Sequence, residues 1–373
     1  MTTASKRSVE GFRVSPADIP NKGIRFVNHE KCGRSGHGGN CLTECHNGDI
    51  VSFYSNVSGE IEKGHGVAGW SEYRRSEDGG RTWGKPVVLE YSKCAWEGTE
   101  MYAAIVFALT TAPNGALVAF VCRFEQDLWI KKLPPLCLLS HDEGRTWSEP
   151  YPLDPAASVA EVALTFDAVF THNDQIFAVF MGGSAAYCIG PYSLYVSADN
   201  GASFARRSIL PFDHENYYVT AGVLDTGEII VYSYPYRAKA AIDEYNIPYV
   251  TSADEGRTWS KVKTAHFPRA IRNPQLARKI GNFYFLHGRS GSQSRDPSNL
   301  VLYASRDGIH WDDGAILHRK ESGGGDAYSA NEVIGKYDPR VPNRLLIQSS
   351  IAYEDGSSKV NAHHWWVEQI EHG

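Results

Sequence analysis

The side chains able to do chemistry fall into three groups. His37 lies between glycines in GHGGN, where glycine lets a ligand approach the backbone closely, and Glu62 and His65 share the segment GEIEKGHG. Tyr328, in GGDAYSANEV, is a candidate phenol at the start of a repeat. Glu215, in HENYY, and Glu161 are candidate carboxylates at the starts of their repeats. Arg123, Arg237, Arg272 and Arg289 carry guanidinium forks that match a carboxylate, with Asn40, Tyr218 and Asp326 as further hydrogen-bonding groups. Proton carriers, a phenol and guanidinium forks in one chain suit an acidic sugar.

These residues are far apart in sequence, so the elements that gather them matter next. An octet recurs five times: SEDGGRTW from Ser76, SHDEGRTW from Ser140, SADNGASF from Ser197, SADEGRTW from Ser252 and the shortened SRDGIHW from Ser305. The starts are 64, 57, 55 and 53 residues apart, room for four short strands and their loops, which is one propeller blade. Alternating apolar stretches such as SLYVS and WSEPYPL flank the octets and make each a hairpin turn. The residue types fit that turn. Asp accepts backbone N–H bonds, Gly supplies a positive φ, Ser or Thr closes the loop, and the final Trp or Phe buries against a neighbouring repeat. A calcium reading of the five aspartates lacks the D-x-D-x-D-G loop. Paired strands precede each octet, and a sixth pair, NEVIGKYDPRVPNRLLIQSS, follows the last. The expectation is an all-β, six-bladed β-propeller over residues 1–373 as one domain, with 1–34 completing the last blade.

In such a ring the octets sit at the periphery, while a ligand meets the starts of the inner strands and the loops after the second strands. The candidates named above fall in those stretches, with Asp167 beside Glu161 in blade three.

The octets resemble the Asp boxes of the sialidase superfamily, over roughly residues 35–370. The resemblance implies a propeller hydrolase acting on a terminal acidic sugar. In that family three arginines grip the substrate carboxylate, a Tyr–Glu pair attacks the anomeric carbon, and an aspartate serves as acid/base. GGDAYSANEVI resembles the stretch that carries the tyrosine, which puts Tyr328 in the nucleophile's place; Arg237 and Arg289 fall near where the second and third arginines are expected. The departures are equally specific. Asn40 stands where the first arginine belongs, and Tyr218 aligns with the glutamate partner, leaving Glu215 as the nearest carboxylate. The stretch from Ser55 to Glu72 holds Glu62 and His65 but no Asp. In the resulting scheme Tyr328 attacks, Glu215 or Glu161 assists, Glu62 or His65 moves the proton, and Arg237, Arg289 and Arg272 hold the carboxylate.

Two other functional readings stay open. His37, Asn40, the tyrosines and the arginines also suit a polysaccharide lyase, in which His or Tyr takes the proton α to a uronate carboxylate. The replaced arginine suits a carbohydrate-binding propeller without turnover. Each candidate also has a structural reading: Tyr328 as a core aromatic, Arg237 and Arg289 as partners of Asp243 and Asp296. Trp70, Trp96, Trp129, Tyr187 and Tyr192 are either blade packing or sugar platforms. From His29 to His46 the chain also holds Cys32, His37, Cys41 and Cys45, but no CxxC knuckle, so buried thiols are expected rather than a zinc site. No metal or cofactor is expected.

Composition narrows the partners. Lys+Arg 37 against Asp+Glu 43 give a formal net charge of −6, and no basic block offers a nucleic-acid footprint. No run of about eighteen apolar residues suggests a membrane span, and the start MTTASKRSVEGFRV lacks the apolar segment of a signal peptide. Seven cysteines are odd in number and read as reduced thiols. The expected partner is an acidic glycan. The expected setting is cytoplasmic, or secreted or periplasmic if a leader has been removed.

Overall fold

The computed structural model describes residues 7–9, 11–16, 25–28, 40–58, 68–99, 102–125, 131–183, 190–213, 216–235, 245–290, 299–318, 329–351 and 359–370. The chain starts with β1 (Arg7–Val9), β2 (Phe12–Pro16) and β3 (Arg25–Asn28). Blade one is β4 (Cys41–Glu44), β5 (Ile50–Ser58), β6 (Ala68–Ser76) and β7 (Val87–Val88), followed by helix α1 (Glu90–Glu97). Blade two is β8 (Tyr102–Thr111), β9 (Leu117–Glu125), β10 (Lys131–Ser140) and β11 (Tyr151–Pro152). Blade three is β12 (Val169–His172), β13 (Gln175–Met181), β14 (Tyr192–Ser197) and β15 (Ala205–Leu210). Blade four is β16 (Asn216–Val223), β17 (Ile229–Pro235), β18 (Asn246–Ser252) and β19 (Lys263–His266). Blade five is β20 (Arg272–Ile280), β21 (Phe283–Arg289), β22 (Leu300–Ser305) and β23 (Ala315–His318). Blade six is β24 (Ser329–Ile334), β25 (Arg344–Ile351) and β26 (Lys359–Gln369).

Each sheet is antiparallel in chain order, and β4, β8, β12, β16, β20 and β24 touch one another in a closed ring around the axis. This is the expected six-bladed propeller. The N-terminal strand β2 pairs with β26, from Phe12 opposite Gln369 to Pro16 opposite Trp365, and so supplies the fourth strand of blade six. A central strand covered by blades on both faces needs apolar residues at every position rather than at alternate ones. The β8 sequence YAAIVFALTT is accordingly buried along its whole length.

The octets close the third-to-fourth strand hairpins. In the fourth one, Ser252 Oγ donates to Asp254 Oδ1 at 2.8 Å, Gly256 N donates to Ser252 Oγ at 2.8 Å, and Thr258 Oγ1 donates to Asp254 Oδ2 at 2.7 Å. The octet's last aromatic docks on the preceding blade every time. Trp83 stacks on His364 at 5.3 Å, Trp147 meets Phe53 edge-on at 5.4 Å, and Phe204 meets Phe120 at 5.3 Å. Trp259 Nε1 donates to Ser208 Oγ at 2.9 Å, and Trp311 meets Tyr232 at 6.3 Å. The repeat therefore works as a clamp between wedges. Among the described residues no helix is long and apolar enough to cross a membrane.

Candidate functional site

Strand direction puts the starts of the inner strands and the ends of the second strands at one end of the ring. In blade five, Arg272 opens β20 and Arg289 closes β21, and the two are paired directly across the sheet. Residues opposite each other in an antiparallel pair present their side chains on the same face. Two guanidinium groups therefore share one face at this end. The register slips between Arg272 and Gln275, where Asn273 adopts φ +54°. Arg289 is buried, and its Nη2 donates to Asn273 Oδ1 at 3.2 Å.

Aromatic residues continue the wall toward blades four and three. The Arg272 guanidinium lies 6.0 Å from the ring centre of Tyr234, which sits opposite Tyr218 across the β16–β17 pair, and the two tyrosine rings are 6.2 Å apart. Tyr218 in turn meets Phe166 edge-on at 4.4 Å. Of the expected residues, Arg272, Arg289 and Tyr218 are thus joined in one arc, through Tyr234 and Phe166.

Blade two forms a second group at the same end. The Arg123 guanidinium lies 5.6 Å from the ring centre of Tyr102 and donates through Nε to the Pro134 carbonyl at 2.8 Å. The Tyr102 hydroxyl is 2.8 Å from that of Tyr91 on α1. Burial first, and the neighbouring Tyr102 hydroxyl next, push the Tyr91 phenol upward, so it stays protonated at neutral pH. Asn40, just ahead of β4, is buried, and neither its amide nitrogen nor its oxygen meets a partner among the described residues.

Glu161 goes elsewhere. Its carboxylate accepts from Ser158 N at 3.0 Å and pairs with Arg206 at 3.0 Å on β15, the outermost strand of blade three. The Ser158 backbone and then Arg206 lower its carboxyl below the usual range. The cause is the path of the chain, which turns at Ser158–Glu161 and makes an isolated bridge from Leu164 to Met181 before β12 begins. In blade three the acid that reaches the axis is Asp167, at φ +58°.

Asp167 lines an axial cavity of about 280 Å³ to which all six inner strands contribute, with Gln275, Asn331 and Glu332 among its walls. The Gln275 amide crosses the axis, Nε2 donating to the Phe166 carbonyl at 3.0 Å. Burial pushes the Asp167 carboxyl well up; the Leu109 N–H opposes this and the Glu332 charge adds to it. Glu332 is itself paired with Lys336 at 3.0 Å. Beside the cavity, buried His287 places Nδ1 2.8 Å from Ser329 Oγ and Nε2 2.8 Å from Asn331 Nδ2. Desolvation lowers it to about 3, so this imidazole is neutral at neutral pH.

Tyr328, Glu215, Glu62, His65, His37, Arg237 and Asp326 lie outside the described residues. Of the His29–His46 segment, Cys41 and Cys45 are buried, and burial pushes the Cys45 thiol up to about 12. His46 packs its ring 4.3 Å from that of Tyr337. Among the described residues no group of three or more His, Cys, Asp or Glu is placed to hold a metal ion. For Gln275 and His287 the sequence carries no signal that sets them apart from packing residues of their strands, whereas Tyr234 has its position near the end of a second strand.

The BNR repeat-like domain family matches residues 48–333. No curated protein sequence matches the chain. Among solved structures, a protein of unknown function from Dyadobacter fermentans superposes with a TM-score of 0.73 at 14% identity, covering 97% of this chain and 100% of that one. A Hadza microbial sialidase gives 0.65 at 15% identity, over 90% of this chain and 66% of that one. A GH93 α-L-arabinofuranosidase of Fusarium graminearum, solved with arabinobiose, gives 0.56 at 12% identity, over 92% and 97%. At these identities the likeness is one of fold.

Proposed function

Since the chain belongs to the BNR repeat-like domain family, built as a six-bladed propeller, we propose that it is a glycoside hydrolase releasing a terminal acidic sugar. The observation that carries this reading is the pair Arg272 and Arg289, side by side on one face against the aromatic arc of Tyr234, Tyr218 and Phe166. Guanidinium forks match a carboxylate bidentately, and an aromatic wall accepts the apolar face of a sugar ring. Sialidase and arabinofuranosidase activities named for structural neighbours agree with glycoside hydrolysis on this scaffold.

In the proposed reaction Arg272, Arg289 and Arg237 hold the sugar's carboxylate. Tyr328 attacks the anomeric carbon while Glu215 takes the phenolic proton, and Glu62 or His65 protonates the departing glycosidic oxygen. Water, giving its proton to the same Glu62 or His65, then attacks the anomeric carbon and displaces the Tyr328 oxygen, which takes back its proton from Glu215, giving overall retention. The test is turnover of chromogenic glycosides of sialic and uronic acids. Tyr328→Phe is expected to cut kcat by at least about a hundredfold on the acidic sugar that the native chain cleaves. Full activity in that variant ends the proposal.

Asn40 favours a second reading. Its buried amide stands at the inner start of blade one with no partner among the described residues, and a neutral donor there suits a lyase that discharges a uronate carboxylate before removing the α proton. An unsaturated, ultraviolet-absorbing product from a uronate polymer would select it.

A further inference from the structure

Trp70 is the third residue of β6, immediately after the connection between the second and third strands of blade one, and so lies at the same end of the ring as Arg272 and Arg289. The other tryptophans whose side chains are described each join one of the apolar cores; among the described residues Trp70 joins none. It is half-buried, yet its ring is not loose. Nε1 donates to Glu72 Oε1 at 3.1 Å, and the other oxygen of this buried carboxylate accepts from the Tyr54 hydroxyl at 3.0 Å. An N–H bond to a carboxylate is of the stronger kind, and here it fixes the plane of the indole. The Lys93 ammonium lies 6.0 Å from the ring centre.

Helix α1 connects this ring to the hub. It packs on both β6 and β8; Lys93 meets Trp70, while Tyr91 meets Tyr102, whose ring carries Arg123. One set of contacts therefore runs from Arg123 on the second strand of blade two through Tyr102 on its inner strand to Tyr91, and another from Lys93, two residues along the same helix, to Trp70 on the third strand of blade one. The part of an indole that stays in water has an unfavourable hydration free energy, and a ring already immobilised loses little entropy when a ligand covers it.

We propose that Trp70 and Lys93 form a subsite for a sugar further along the glycan than the terminal acidic residue, with the indole stacking on that sugar's C–H face and the ammonium meeting its hydroxyl or carboxylate oxygens. This rests on the glycan reading of the hub and adds an oligosaccharide, rather than a single sugar, as the ligand.

The test is 19F NMR of the full chain labelled with 5-fluorotryptophan, the Trp70 resonance being assigned by its loss in Trp70→Phe. The probes are a sialylated trisaccharide and trigalacturonate, with the free acidic monosaccharides as controls. The Trp70 resonance is expected to move with a trisaccharide and not with a monosaccharide. Trp70→Ala is expected to weaken trisaccharide binding about tenfold by calorimetry, the scale of a lost aromatic contact, with Trp70→Phe between it and the native chain. If other indole resonances move while Trp70 stays still, or if Trp70→Phe and Trp70→Ala both bind as the native chain does, the subsite is wrong and the hub reading survives. Movement of Trp70 without any product supports the subsite and removes the hydrolase. Silence of every resonance with every glycan overturns both.

Discussion

Asn273 and Arg289 have to be considered together. Asparagine tolerates the left-handed region better than most residues, and at φ +54° it turns its Oδ1 to accept from Arg289 Nη2. Arg289→Lys keeps the charge and loses the fork, so kcat/KM on an acidic glycoside should fall about tenfold to a hundredfold. A neutral glycoside, if cleaved, should be unaffected; equal loss on both would mean that the arginine is structural. His287 gives a pH prediction at the same scale. Its folded value, about 3, lies below the unfolded value of about 6.5, so the unfolded chain binds the extra proton first. The stability it contributes is complete above about pH 6.5 and declines as pH falls toward 3. Urea midpoints across that window should drop in the native chain and drop less steeply in His287→Gln.

At the scale of the element, each octet is a closed hydrogen-bonding circuit. Bonds from the Thr258 N–H, the Thr258 hydroxyl and the Ser252 hydroxyl hold the Asp254 carboxyl at about 2. That is below the usual carboxylate value of about 3.9, so the contribution is present above it and is lost as pH falls through about 2. Asp254→Asn should lower the melting temperature at pH 6 and leave it nearly unchanged at pH 2. An equal loss at both would assign the effect to packing. This locality explains what was legible. Serine, aspartate, glycine and threonine meet inside one octet, so the sequence alone identifies the clamp, and its count and spacing identify the ring. The hub is assembled from six separate strands, and a residue's place there depends on where its strand begins. Glu161 and Asp167 are six positions apart in a stretch without periodicity; the turn at Ser158 sends the first to the rim and leaves the second on the axis.

The whole ring depends on a contact between its two chain ends. Strand β2 adds to the exposed edge of β26, and two kinds of contact fasten it. One is apolar. Phe12 is buried, meeting Phe283 at 5.4 Å and Phe285 at 5.0 Å, both edge-on, so the closing strand also packs against blade five. The other is ionic. Arg13 pairs with Glu368 at 2.9 Å, with the arginine side chain 53% exposed. Burying a phenylalanine and pairing two wetted charges differ in scale: Phe12→Ala should cost about 3–5 kcal/mol of unfolding free energy, and Arg13→Ala about 0–1 kcal/mol. Both are measurable from urea unfolding, where neither change should alter the ionic-strength dependence greatly. A salt-sensitive loss in Arg13→Ala that matched Phe12→Ala would mean that charge rather than apolar packing holds the ring shut. The clamps between the other blades, whose aromatic contacts Trp147–Phe53 and Phe204–Phe120 are of the same kind, would then no longer be a guide to how the ring is closed.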